Sequence, residues 1–169
     1  SIIGRQVDDI GRMVDEFSAF ARMPQPVMAP LDLHALVAGQ MTLFEDGDIV
    51  MSLDIDDKDQ EFGVLGDAGL LRQAVSNLIQ NSVDSLLDNH IKAPQIRLGL
   101  SRVDALVILQ VADNGPGYPE MDRSRLLEPY VTHREKGTGL GLAIVSKIVQ
   151  DHAGTLELLD APQGGASRS

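Results

Sequence analysis

Between Asp67 and Asn89 the chain carries a pattern that only a long, half-buried helix satisfies. Leu71, Val75, Leu78, Ile79, Ser82 and Leu86 recur at helical spacing, and Asp67 stands where an N-cap is wanted, so a helix is predicted over 68–89. Its other edge is polar in an unusual way. Asn77, Asn81 and Asp84 fall at i, i+4 and i+7, with Gln73 one turn earlier. Asn is a poor residue for a helix interior, so two of them one turn apart ask for a reason. A stripe this long must be covered by another layer, and the flanking segments are strands.

Ile49–Ile55 alternates Ile49, Met51, Leu53 and Ile55 with smaller or polar residues, and Phe62–Leu65 reads as a short strand after a charged turn at 56–61. Gln95–Ser101 and Ala105–Ala112 are predicted as a hairpin turning at Arg102-Val103-Asp104. Leu140–Asp151 is predicted as a helix and Thr155–Leu159 as a strand. Asp32 caps a further helix running to about Phe44. Strands with interspersed helices argue for a two-layer α/β domain from residue 31 onward.

Ahead of it, Ile3, Val7, Ile10, Val14, Phe17 and Ala21 follow heptad steps, which predicts a helix over 2–21. Its stripe, widened by Met13 and Phe20, suits a helical bundle or dimer, or the core of its own domain. Pro24, Pro26 and Pro30 cut it off and mark 24–30 as a linker.

Composition removes several function classes. The net charge of −11 repels phosphate backbones and argues against nucleic-acid binding. Any nucleotide site must therefore be corrected locally by backbone N–H groups, a few cations and Mg²⁺. There is no Cys, hence no thiolate nucleophile and no thiolate metal site, and the four histidines lack metal-ligand spacing. Apolar runs fall far short of the roughly 18 residues of a membrane span.

Three features carry chemistry. The carboxamides of Asn77 and Asn81 are neutral hard ligands suited to Mg²⁺ that also holds phosphates, although the same edge would serve as a solvated face. Asp113-Asn114-Gly115-Pro116-Gly117 follows the strand ending at 112. It suits first an ordinary strand-ending turn, and otherwise a carboxylate accepting the N6 amine of adenine, with Gly115 and Gly117 letting the base approach. Guanine presents a carbonyl oxygen at that place and would be repelled. Gly137, Gly139 and Gly141 alternate ahead of a helix start, which makes either an anion cradle or a hinge. Arg134 and Lys136 precede them, as triphosphate partners or as solvated charges.

In this order and spacing the motifs resemble the GHKL-type (Bergerat) ATP-binding domain of bacterial sensor histidine kinases. Leu71–Ser85 is similar to its N box and Asp113–Gly117 to its first Gly box. Glu128-Pro129-Tyr130-Val131-Thr132 resembles the aromatic box of the ATP lid, Gly137–Leu142 the second Gly box, and Gly164-Gly165-Ala166 the last Gly-rich turn. The resemblance implies a two-layer sandwich with a mixed sheet on helices. It implies ATP and Mg²⁺ as cofactors, with Asn81 on the metal, Asn77 near the phosphates, Asp84 among the cofactor-binding residues, and Asp113, Gly115 and Gly117 at adenine. Tyr130 and Thr132 would line the lid, and Arg134, Lys136, Gly137, Thr138, Gly139, Leu140, Gly141 and Leu142 would close over the triphosphate. The gyrase, chaperone and mismatch-repair branches place a Glu where Asn77 stands, and Asn cannot take a proton from water. The resemblance therefore points to kinases, with a hydrolysing ATPase and a nucleotide-free helical interaction module as the alternatives.

Val14–Pro24 resembles the second helix of a dimerisation and phosphoacceptor hairpin, most like NtrY-type nitrogen-regulation kinases. The implied organisation is hairpin helix 1–23, linker 24–30 and catalytic domain 31–169. The implied partners are ATP and ADP, the phosphoacceptor hairpin, a response regulator, and a second copy in a homodimer. The implied place is the cytoplasmic side of the inner membrane, with an anchor elsewhere in the protein. None of His34, His90, His133 and His152 has the phosphoacceptor context, and His133 and His152 read as structural or solvated. The expectation is thus a fragment whose nucleophile lies outside it and whose last strand, after Ala166, is cut short.

Overall fold

The computed structural model describes residues 18, 24–45, 47–55, 61–115, 141–160 and 166–168. Of the predicted helix over 2–21 only Ser18 is among them. After the prolines, strand β1 (Ala29–Asp32) pairs antiparallel with β3 (Gly63–Gly66), Pro30 opposite Leu65. Ala29 and Pro30, read from sequence as linker, are thus strand. A two-stranded ribbon has free edges, where the missing N–H of proline breaks no ladder.

Asp32 caps helix α1 (Leu33–Met41), its Oδ1 accepting the His34 N–H at 3.0 Å. The helix tightens into a 3-10 turn at Thr42–Phe44, which completes the predicted run to Phe44. Strand β2 (Val50–Ile55) follows. Helix α2 (Ala68–Asp88) begins at Asp67, whose Oδ1 accepts the Leu70 N–H at 3.1 Å. It ends where His90 turns to φ 51° and Ile91 N–H reaches back to the Leu86 carbonyl, a Schellman closure on a non-glycine residue.

The hairpin partners are β4 (Gln95–Val103) and β5 (Leu106–Asp113). They turn on Asp104-Ala105 rather than on 102–104, with Asp104 at φ 56°. Asp113 is the last residue of β5 and not the first of the loop. Helix α3 (Gly141–Asp151) follows, then β6 (Leu158–Asp160) and β7 (Ala166–Arg168). The strand expected at 155–159 starts three residues later. Ala166, expected in the last Gly-rich turn, opens a short strand that pairs with both β5 and β6.

The main sheet runs β2-β4-β5-β7-β6, with β2 parallel to β4 and the other pairs antiparallel. Register places Met51, Leu53 and Ile55 beside Ile96, Leu98 and Leu100, and these beside Asp113, Val111 and Leu109. That face meets Leu70, Ala74, Val75, Leu78, Ile79 and Leu86 of α2 and Ile144, Val145 and Ile148 of α3 in one apolar core. The other face carries Ser52, Asp54, Arg97, Gly99 and Gln110, as half-solvated sheets do. The result is a two-layer α/β sandwich.

Helix α3 closes as α2 does. Gly154 N–H bonds the Val149 carbonyl at 2.8 Å and Ala153 takes φ 59°. Left-handed backbone costs a residue with a Cβ about 1–2 kcal/mol, part of which glycine returns through the entropy of the unfolded chain. Ala153→Gly is therefore expected to stabilise the fold by about 1 kcal/mol, read as a melting temperature raised by roughly 3 °C. An unchanged or lowered midpoint would contradict the strain argument.

Candidate functional site

Helix α2 carries the polar edge. Its buried stripe faces the sheet, which leaves Asn77 and Asn81 half-buried at the border between core and solvent, one turn apart. Neither carboxamide has a hydrogen bond to another described residue. Asp84, one turn further on, accepts from Gln80 Nε2 at 2.8 Å. Two neutral, half-buried amide oxygens on a rigid helix are a donor set that fits a hard cation with open positions.

The second element is the end of β5. Asp113 lies opposite Ile96 on the core face of the sheet and is 7% exposed, the one buried carboxylate among the described residues. One of its oxygens accepts the Gly115 N–H at 2.9 Å. Among the described residues this is the carboxylate's only hydrogen bond, so the second oxygen is available to a ligand. A Cβ on Gly115 would stand 2.9 Å from that carboxylate, 3.4 Å from Leu86 Cδ2 and 3.6 Å from Ser85 Oγ. The glycine is thus demanded by close approach to both the carboxylate and the last turn of α2. Ser85 is one helical turn beyond Asn81, and the span from Asn77 to Ser85 is about 12 Å along the axis. Asp113 and the two carboxamides accordingly lie along one helix.

Helix α3, packed on α2, begins at Gly141, where an added Cβ would meet no atom within 4 Å. Leu142 beside it anchors the first turn against the core. The N–H groups of a helix's first turn attract anions. Gly117, Tyr130, Thr132, Arg134, Lys136, Gly137, Thr138, Gly139 and Leu140 lie outside the described residues, as does His133.

Two groups hold the site's frame in ways the sequence left unspecified. Asn114 accepts the Gln95 N–H at 2.8 Å and donates to the Ala93 carbonyl at 3.0 Å. Only its turn propensity was visible in the sequence. At the other end of α2, the Asp67 N–H donates to His152 Nε2 at 3.0 Å, while His152 Nδ1 lies 2.7 Å from the Ile148 carbonyl. That pairing puts the ring proton on Nδ1 and makes His152 structural, tying α3 to the start of α2.

Asp67 also accepts the Val27 N–H at 3.0 Å, so it fastens the chain after the prolines to the N-terminus of α2. The Val27 and Leu70 N–H groups hold its carboxyl below the ordinary value of 3.8. A depressed carboxyl contributes stability above its unfolded value and loses it as pH falls through the folded one. The melting advantage of the wild type over Asp67→Asn should thus be full at about pH 6 and shrink below about pH 4. A gap that does not narrow with acid would exclude the charge as its source.

Residues 66–168 match the profile of the family described as histidine kinase-, DNA gyrase B- and HSP90-like ATPases. The chain belongs to this family. It is 43% identical, over 95% of its length, to nitrogen regulation protein NtrY of Azorhizobium caulinodans, and spans 21% of that protein. Full-length ShkA, solved in complex with AMPPNP, superposes with a TM-score of 0.78 at 28% identity, over 97% of this chain and 36% of ShkA. The histidine kinase ThkA, solved with the response regulator TrrA, shares the fold at 21% identity and a TM-score of 0.77, over 99% of this chain and 48% of ThkA. The sandwich and its mixed sheet are thus those of an ATPase-family domain. Among the described residues no helix is long and apolar enough to cross a membrane.

Proposed function

We propose that this chain is the ATP-binding catalytic domain of an NtrY-like sensor histidine kinase. The observation that carries the reading is Asp113: a buried carboxylate at the end of the middle strand of the sheet, with one oxygen held by Gly115 and the other bonded to no described residue, beside the last turn of the helix bearing Asn77 and Asn81. The second oxygen accepts the N6 amine of adenine, and Gly115 and Gly117 let the ring approach. Asn81, with Asn77 and Asp84 beside it, holds Mg²⁺, which when bound neutralises charge on the phosphate oxygens. Arg134, Lys136 and the stretch Gly137–Leu142, with Tyr130 and Thr132, enclose the triphosphate.

The chain's work is orientation and charge neutralisation. A histidine on a helical hairpin attacks the γ-phosphorus. A P–N bond forms as the bond to the β–γ bridging oxygen breaks, and ADP leaves with the electron pair. Asn77 offers no base to a competing water, which favours transfer over hydrolysis. In this reading residues 1–23 are the second hairpin helix, 24–30 link it to the catalytic domain, and the whole protein is a membrane-anchored homodimer whose phosphohistidine serves a response regulator.

Calorimetric titration with Mg-ATP and Mg-GTP, with products analysed afterwards, tests the proposal. Expected is ATP-selective binding, lost in Asn81→Ala, with ATP recovered intact. It should be consumed only when a phosphoacceptor hairpin is supplied, the label then appearing as acid-labile phosphate. Steady turnover without the hairpin would instead make the chain a hydrolase, and absence of binding by the folded chain would end the nucleotide reading.

A further inference from the structure

Asn114 sits outside the site yet is bonded on two sides. Its backbone N–H donates to the Gln95 carbonyl at 3.2 Å and its Oδ1 accepts the Gln95 N–H, so one residue closes the end of the β4–β5 ladder on both edges. Its Nδ2 reaches past the ladder to the Ala93 carbonyl. Ala93 belongs to the connector between α2 and β4 and is held at φ 50°, backbone that a residue with a Cβ rarely adopts. The next residue, Pro94, accepts Val50 N–H at 3.1 Å and so fixes the start of β2.

These contacts make a closed circuit. The connector leaves α2 just after Ser85 and Leu86, the side chains that face Gly115. Asn114 joins the connector back to the end of β5, and Gly115, its neighbour, donates to Asp113. Beyond its pairing opposite Ile96, the Asp113 carboxylate is tied to α2 by two links, the close approach of Gly115 to Ser85 and Leu86 and the carboxamide bridge of Asn114. The first is van der Waals contact that can slide, while the second is directional.

We propose that Asn114 is a positioning residue for adenine recognition: its carboxamide locks the α2–β4 connector, with Ala93 in its left-handed conformation, to the end of β5 and so aims Asp113 at the base. This rests on the reading of Asp113 as the adenine acceptor. Asn114 itself touches no nucleotide.

The test compares Mg-ATP with Mg-tripolyphosphate, which carries the charge of the nucleotide tail without a base. Asn114→Ala should weaken Mg-ATP about fivefold to tenfold, the loss of one to two hydrogen bonds' worth of aim, and leave Mg-tripolyphosphate unchanged. Adding Ala93→Gly, which removes the strain the bridge restrains, should recover most of the ATP affinity. Equal weakening of both ligands would reduce Asn114 to a general structural role and overturn the proposal. So would unchanged ATP binding in Asn114→Ala while Asp113→Ala binds poorly. Unchanged ATP binding in Asp113→Ala would show that the acceptor reading itself has failed, and this proposal with it. Should Asn114→Ala not fold, Asn114→Asp is read in its place by the same criteria, since it keeps the acceptor for Gln95 and loses the donor to Ala93.

Discussion

Asp113→Ala should bind Mg-ATP roughly 10- to 100-fold more weakly than the wild type while remaining folded. A hydrogen bond to a charged group contributes about 1.5–3 kcal/mol, and here it is made in a nearly dry place. The fold should tolerate the change, because a carboxylate 7% exposed with a single hydrogen bond among the described residues is costly to bury and its removal relieves that cost. Asp113→Asn is the sharper variant. Gly115 N–H occupies the side-chain oxygen, so the new amide must turn its NH₂ toward the base. A donor then faces the amine of adenine, while guanine offers a carbonyl oxygen at the same place. The ATP-to-GTP affinity ratio should collapse toward unity or below, by direct titration. Retention of the wild-type ratio by Asp113→Asn would show that Asp113 does not read the base.

Ile79→Ala should cost about 2–5 kcal/mol of stability. Ile79 is fully buried on α2, midway between Asn77 and Asn81, and packs in the core that joins the helix to β4 and β5. Truncation leaves a cavity under the turn that presents both carboxamides. The denaturant midpoint should fall with its slope unchanged, since the loss is of packing and not of compactness. Asn81→Ala, on the solvent border of the same turn, should shift the midpoint by less than about 0.5 kcal/mol. The pair thus separates stability from binding along one helix. A loss under about 1 kcal/mol for Ile79→Ala would mean that α2 can collapse onto the sheet without it, contrary to the packing described.

The elements legible in the sequence are those whose signal is local. The 3.6-residue stripe of α2, the caps Asp32 and Asp67, and the alternation of β2, β4 and β5 each depend on residues within a few positions of one another. The Asn edge was legible for the same reason, as spacing on a helix is itself a geometric statement. What the sequence misplaced depends on partners far along the chain. Ala29 and Pro30 read as linker because proline argues against a strand, and only β3, over thirty residues later, makes them one. Ala166–Arg168 is strand because β5 and β6 lie on either side of it. The role of His152 needed Asp67, distant in sequence, to donate to it.

Asp113 shows the division most plainly. Its residue type, its place after an apolar strand and the glycine two positions on are written in the chain, and by themselves they favour a plain turn over a nucleotide contact. Register decided between the faces of the sheet. With Ile96 opposite, the carboxylate falls on the core side, where solvent is excluded and a hydrogen bond has value. A shift of one residue would have sent it to water. The amino-acid sequence by itself determined the elements and the chemical groups they carry, because propensity, capping and periodicity act over a few residues. Which groups are buried, which meet along α2, and how Asn114 braces them were settled only by tertiary packing, since pairing register and burial are properties of the assembled layers.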